Sequence, residues 1–235
     1  MNKINKKLLL LIVVLNIAVA PVAKAETELF SDLTDRNPNF RAIEYLTETG
    51  IIQGYPDGTF QADKTVSRVE FLKLALLSSK IEMDNYIPTG FPDIDENAWY
   101  AQYVRKAASM GWVEGYPDGT FKPTQGVNKA EALKMIGEIQ EWEIDTDLTE
   151  SYFSDISPSE WFAPYTEYAH SKNFLDERGT FFAAEAHLSR GKVSEYLFRA
   201  FITNLSDQEQ FSYSLIEEYP ASENIVEVIE VEVPV

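Results

Sequence analysis

Gly54-Tyr55-Pro56-Asp57-Gly58-Thr59-Phe60, followed after a short spacer by Val66-Ser67-Arg68-Val69-Glu70, decides the fold because it recurs. The second copy is Gly115-Tyr116-Pro117-Asp118-Gly119-Thr120-Phe121, then Val127-Asn128-Lys129-Ala130-Glu131. The third is reduced to Arg178-Gly179-Thr180-Phe181, then Leu188-Ser189-Arg190-Gly191-Lys192. Arg68, Lys129 and Arg190 stand 61 residues apart; Phe60 to Phe121 is 61 residues and Phe121 to Phe181 is 60. A fixed period of this kind is the mark of a repeat architecture.

The stretch reads as a turn feeding a helix. Pro presets φ, Asp bonds its own backbone and Gly accepts positive φ, so Pro-Asp-Gly is turn chemistry. Ser67 with Glu70 and Asn128 with Glu131 have the spacing of a capping box, which satisfies the free donors of a first helical turn. Beyond the box, apolar residues fall at helical spacing: Phe71, Leu74 and Ala75; Ala132, Met135, Ile136 and Ile139; Val193, Tyr196, Leu197 and Ala200. Only Ser78 interrupts the pattern, so each copy predicts a helix with one buried stripe, and three stripes can face one another.

Upstream of each turn lies a second helical stretch. The copies open at Phe30-Ser31-Asp32, Phe91-Pro92-Asp93 and Phe153-Ser154-Asp155. Helices are expected near 39–49, 98–110 and 161–172, stopped by Gly50, Gly111 and Asn173. Trp99 and Trp161 occupy matching places, where the first copy has Pro38. Each unit is helix, turn-rich loop, helix.

Residues 1–25 read as a secretory signal: Lys3, Lys6 and Lys7 precede the apolar run Leu8 to Val19, and Ala23-Lys24-Ala25 is a small-x-small cleavage site. The units then span 26–86, 87–148 and 149–204, and 205–235 forms an acidic tail. The whole chain carries −18; the first 25 residues hold four Lys and no acid, which leaves −22 for the remainder. Such acidity argues against a nucleic-acid partner, whose phosphates need a basic face. Residues 206–224 read as a linker or frayed helix, and Ile229-Glu230-Val231-Glu232-Val233 alternates like one strand, which is disordered, packed on a blade or offered to a protein partner's sheet edge.

These motifs resemble the S-layer homology (SLH) family, whose repeat has an opening Phe-x-Asp, a Trp-Ala pair, a Gly-Tyr-x-Asp-Gly-Thr-Phe turn and a Thr-Arg-Ala-Glu helix start. Here the pair is reversed in Ala98-Trp99 and lost in Trp161-Phe162, and the last motif reads Ser67-Arg68-Val69-Glu70, Asn128-Lys129-Ala130-Glu131 and Ser189-Arg190-Gly191-Lys192. The resemblance implies a mainly α fold: three helix-loop-helix repeats in a pseudo-threefold bundle, second helices central and grooves between blades, plus the short acidic, β-prone tail. It further implies an exported, non-enzymatic wall anchor at the bacterial surface. Its ligand would be a secondary cell-wall polysaccharide, often pyruvylated, or peptidoglycan. By matching position, Arg68, Lys129 and Arg190 become cation candidates, Trp99 and Trp161 sugar-stacking candidates, and Asp32, Asp93 and Asp155 the polar wall of the grooves.

Each residue also has a structural reading. The tryptophans could be core aromatics and the aspartates turn caps. The cations resist such a reading, because a positive charge in a first helical turn opposes the macrodipole. Their removal is therefore expected to leave folding unharmed, and Arg68, beside the fullest motif, is expected to matter most for ligand. Lys129 offers a point charge in place of a planar fork. The alternative function is a structural S-layer subunit with vestigial grooves.

Other chemistry finds little support. Asp93-Ile94-Asp95-Glu96-Asn97 begins like a calcium loop, but Ala98 replaces its Gly and Val104 its final Glu, leaving at most a weak surface calcium site and no cofactor. His170 and His187 lack metal spacing, and the chain has no Cys.

Overall fold

The computed structural model describes residues 29–83, 88–177 and 179–226. The expected signal segment and the alternating stretch near the C-terminus lie outside the described residues. Among the described residues there is no strand and no helix long and apolar enough to cross a membrane.

Three helix pairs follow one another: α1 (Phe40–Glu48) with α2 (Arg68–Ser78), α3 (Ala101–Ser109) with α4 (Lys129–Ile139), and α5 (Ala163–Ser171) with α6 (Arg190–Ser206). Both capping boxes form. The Ser67 side chain accepts from the Glu70 N–H and Glu70 accepts from the Ser67 N–H, with Asn128 and Glu131 doing the same. Ser189 accepts from the Lys192 N–H, but a lysine cannot return the bond.

The second helices form the centre, with α2 against both α4 and α6. Each first helix packs on the second helix of the preceding unit: α3 on α2, α5 on α4, and α1 on α6. The beginning of the domain is therefore held by its last long helix. Enclosed on several sides, α2 buries Val69, Leu72 and Leu76 as well as the expected Phe71, Leu74 and Ala75. The single stripe is thus a correction: a central helix is apolar nearly all round.

A circuit of backbone hydrogen bonds fixes the threefold arrangement just before these helices. Val66 N–H donates to Leu188 O (3.0 Å), Leu188 N–H to Val127 O (2.9 Å), and Val127 N–H to Val66 O (3.0 Å). Isolated bridges pair Thr65 with Ser189, Ser67 with Gly126, and Asn128 with His187 around the same ring. Thr65, Gly126 and His187 are equivalent positions. A Cβ on Gly126 would meet Thr65 Cγ2 and His187 Nδ1, each at 2.9 Å, so two side chains fill the space and the third position must lack one.

The stretch expected to be a linker or frayed helix is packed instead. α6 runs to Ser206 and stops at Asp207, whose φ is +51°. The chain then turns back through α7 (Leu215–Glu218) and a 3-10 turn (Ala221–Glu223), burying Phe211, Leu215 and Ala221. Tyr45 Oη donates to Tyr219 O at 2.8 Å, and Val226 N–H donates to Thr49 O at 2.7 Å. Composition concealed this because three well-spaced apolar anchors suffice on an aromatic surface built by Tyr45, Phe198 and Phe201.

Candidate functional site

Each turn is pinned by its opening aspartate. Asp32 accepts the N–H groups of Phe60 and Gln61 (2.7 and 2.8 Å), and Asp93 those of Phe121 and Lys122 (2.8 and 2.7 Å). Asp155 accepts from Phe182 and Ala183, both at 2.8 Å. These carboxylates clamp the loops that carry the turns, while Asp32 and Asp155 remain exposed. They also correct the third turn. Its buried aromatic is Phe182, fully enclosed like Phe60 and Phe121, whereas Phe181 is 67% exposed. The 61-residue period is therefore unbroken at this aromatic, and the stretch from opening Phe to buried Phe is one residue shorter in the third unit than in the first two.

The motif cations all do the same thing, in a circle. Arg68 lies over Tyr116 and Phe121 of the second unit, donates to Glu114 O at 3.1 Å and pairs with Glu131. Lys129 lies over Phe182 of the third unit, donates to Phe182 O at 2.6 Å and pairs with Glu177 at 2.9 Å. Arg190 closes the circle on the first unit, over Tyr55 and Phe60, donating to Phe60 O (2.9 Å) and Gln53 O (2.7 Å). Backbone follows the same path: the N–H groups of Arg68, Lys129 and Arg190 donate to Gln125, Ala186 and Lys64 carbonyls. A cation opposed to its own helix dipole is compensated by carbonyls and ring faces of the next unit. The expectation that these cations are free of structural duty is thereby corrected.

Their surroundings differ. Arg68 is buried, 7% exposed, and Tyr116 Oη also donates to its partner Glu131. Burial, reinforced by Glu131, pushes the Tyr116 phenol up to about 12. Arg190 instead borders a groove of about 220 Å³, with Gln53, Glu70, Lys73, Leu74 and Trp99 among its other walls. Burial pulls Arg190 below the ordinary arginine value while Tyr55, Glu70 and Asp32 pull it back, and an arginine stays charged in any case. Lys73 Nζ sits 5.7 Å from the Trp99 ring centre, and Trp99 is 42% exposed. This first groove thus brings together Arg190 from the third unit, Lys73 from the first and Trp99 from the second.

The second groove repeats the plan with more acid. Lys134 lies 5.8 Å from the ring centre of exposed Trp161 but pairs with Glu114 at 3.0 Å, and Arg68 is already paired with Glu131. Glu138, where the first groove has Leu77, accepts from Tyr165 Oη. In the third position Pro38 replaces the tryptophan, Glu195 replaces the lysine, and the chain's own Phe211–Tyr213 covers the site. Arg199 bonds Glu195 (2.7 Å) and Leu175 O (2.8 Å) beneath the Phe211 ring, and Tyr213 Oη donates to Glu195 at 2.7 Å. Sequence reasoning missed Lys73 and Lys134, although their 61-residue spacing, ending in Glu195, was a legible signal.

Among the described residues no group of three or more His, Asp or Glu is arranged to hold a metal ion. Both Asp93 oxygens are taken by backbone donors, and Asp95 accepts from the Asn97 N–H within its own turn.

The chain is 38% identical over 111 residues to a cellulosome-anchoring protein of Acetivibrio thermocellus, covering 46% of this chain and 25% of that protein. It is 32% identical over 140 residues to a surface layer protein of Brevibacillus choshinensis, covering 57% and 12%. With a surface-layer 125 kDa protein of Lysinibacillus sphaericus it shares 30% over 157 residues, covering 65% and 13%. The chain thus spans a quarter or less of each of these relatives. Over residues 29–72 and 90–133, within the first two of its three units, the chain matches the S-layer homology domain.

Proposed function

We propose that this chain is a non-enzymatic anchoring module of the bacterial cell surface, exported to the cell wall or S-layer, and that the third unit is a diverged SLH repeat. The relatives' anchoring and surface-layer names support the setting. Its ligand is an anionic wall polymer, a secondary polysaccharide with acidic substituents, held in the groove of Arg190, Lys73 and Trp99. One observation carries this reading: on a chain of −22 beyond the signal segment, two cations outnumber Glu70 beside an exposed indole. A strongly acidic protein repels an anionic polymer at range, so attachment needs such a local, partly desolvated cationic spot. The exposed indole supplies an apolar face for a sugar ring.

The test is co-sedimentation of the exported chain with purified wall sacculi, before and after chemical removal of the secondary polymer. Lys73→Ala and Trp99→Ala should each release most of the bound protein at unchanged thermal stability, Lys134→Ala less. Binding that survives removal of the polymer would point to peptidoglycan. Binding indifferent to all three changes would favour a structural surface-layer subunit, a reading supported by the pairing of Arg68 with Glu131 in the second groove.

A further inference from the structure

A separate hollow lies away from these grooves, where α4 and α6 end. It has a volume of about 190 Å³, with Gln140, Trp142, Tyr168, Lys172, Thr203 and Asp207 among its walls. We propose that it binds one small neutral polyhydroxyl unit, a single sugar ring or a short polyol.

Two buried polar atoms there have no partner, Gln140 Nε2 and Thr203 Oγ1. Thr203 is 4% exposed. Nearby hydroxyls on the same helix satisfy themselves: Ser194 Oγ donates to Arg190 O (2.8 Å) and Ser206 Oγ to Thr203 O (3.1 Å). Thr203 does not, so its hydroxyl is left able to donate and accept. The orientation of Gln140 is also determined. Trp142 Nε1–H can only donate, and it donates to Gln140 Oε1 at 3.1 Å, which leaves the amide NH₂ without a partner. Buried polar groups left unpaired carry a desolvation cost that a hydrogen-bonding ligand removes.

Chemistry narrows the ligand. Gln140 and Asp207 are the C-caps of α4 and α6, so helix carbonyl ends and the Asp207 carboxylate disfavour an anion. Lys172, whose Nζ sits 5.4 Å from the Tyr168 ring centre, disfavours a cation. A neutral group that donates to Asp207 and accepts from Gln140 and Lys172 is required, and hydroxyls do both. The stacked pair Trp142 and Tyr168, 4.7 Å between centres, supplies an aromatic wall. At this volume the site falls below the roughly 300 Å³ of the smallest drug-sized pockets, which limits the ligand to one ring. Water could fill the same space at about 30 Å³ per molecule, so the test must separate the two.

The full exported chain is titrated with D-glucose and with N-acetyl-D-glucosamine, following the indole N–H resonances of its tryptophans. The Trp142 signal should move along a saturable curve for at least one of these sugars, independently of Trp99 and Trp161 in the grooves. Thr203→Val should weaken that binding at least about tenfold, and without sugar should hold or raise the melting temperature, because an unpaired hydroxyl is gone. Should that variant fail to fold, Gln140→Glu keeps the shape and the bond from Trp142 while removing the NH₂ donor, and should lower affinity similarly. No saturable Trp142 shift with either sugar, or the same shift in a folded variant, overturns the proposal and leaves a water-filled hollow.

Discussion

Arg68 Nη1 lies 3.4 Å from Glu131 Oε1, and the two belong to the same motif in successive units: the cation of the first answers the capping glutamate of the second. Side chains at both ends are nearly enclosed, 8% and 11% exposed. Arg68→Ala should therefore cost stability, on the order of 2–4 kcal/mol. It removes the bond to Glu114 O, the contacts with two rings and the partner of a buried carboxylate. A urea midpoint equal to the parent's would refute this.

The axis offers a sharper test. Gly126→Ala should destabilise by about 1–3 kcal/mol through overcrowding against Thr65 and His187. Thr65→Gly in the same chain should recover part of that loss, a coupling that a double-mutant cycle measures directly. Additive losses would mean that the three positions do not compete for one space.

The C-terminal segment should behave as core. Phe211→Ala should cost about 3–5 kcal/mol, as expected for a buried aromatic. Ile225→Ala, 63% exposed, should stay within about 0.5 kcal/mol. Thermal melts of the two variants decide it, and equal small effects would show that the segment is only loosely applied.

Alkaline pH should expose the buried phenols. Burial raises Tyr45 and Tyr116 from 10.0 to about 12, with Glu131 adding to the effect at Tyr116. A folded value above the unfolded one means that the native state holds the proton more tightly. The resulting stability is complete below about pH 10 and is lost as pH rises through about 12. Urea midpoints measured across that window should fall, with tyrosinate absorbance lagging that of the unfolded chain. Tyr45→Phe should make the fall shallower.

Much of the fold was legible because its signals are local. A capping box such as Ser67 with Glu70 involves one helical turn, so its residues sit side by side in the chain, and both boxes form. The 61-residue period marked the units for the same reason. What one sequence did not show is where a side chain goes when its partner is a unit away. Arg190 reaches Gln53 across 137 residues, and nothing near either residue announces it. Local reading therefore finds little structural reason for the cation and favours a ligand role. The third turn was misaligned by one residue because Phe181 and Phe182 are adjacent and only burial separates them. The Phe211–Tyr213 cover was hidden in an acidic stretch whose average polarity says nothing about its few anchors.

The hydrogen-bond circuit through Val66, Leu188 and Val127 has no free end. An open stack of repeats can gain reach by adding units, each new one docking on the last. A closed circuit of three cannot accept a fourth without being broken, so the number of units in one such domain is capped. Here one of the three equivalent positions is also covered by the chain's own Phe211–Tyr213 stretch. For a module that anchors as proposed, firmer hold on a surface then comes from crowding many molecules together, or from joining it to a second binder so that effective concentration does the rest.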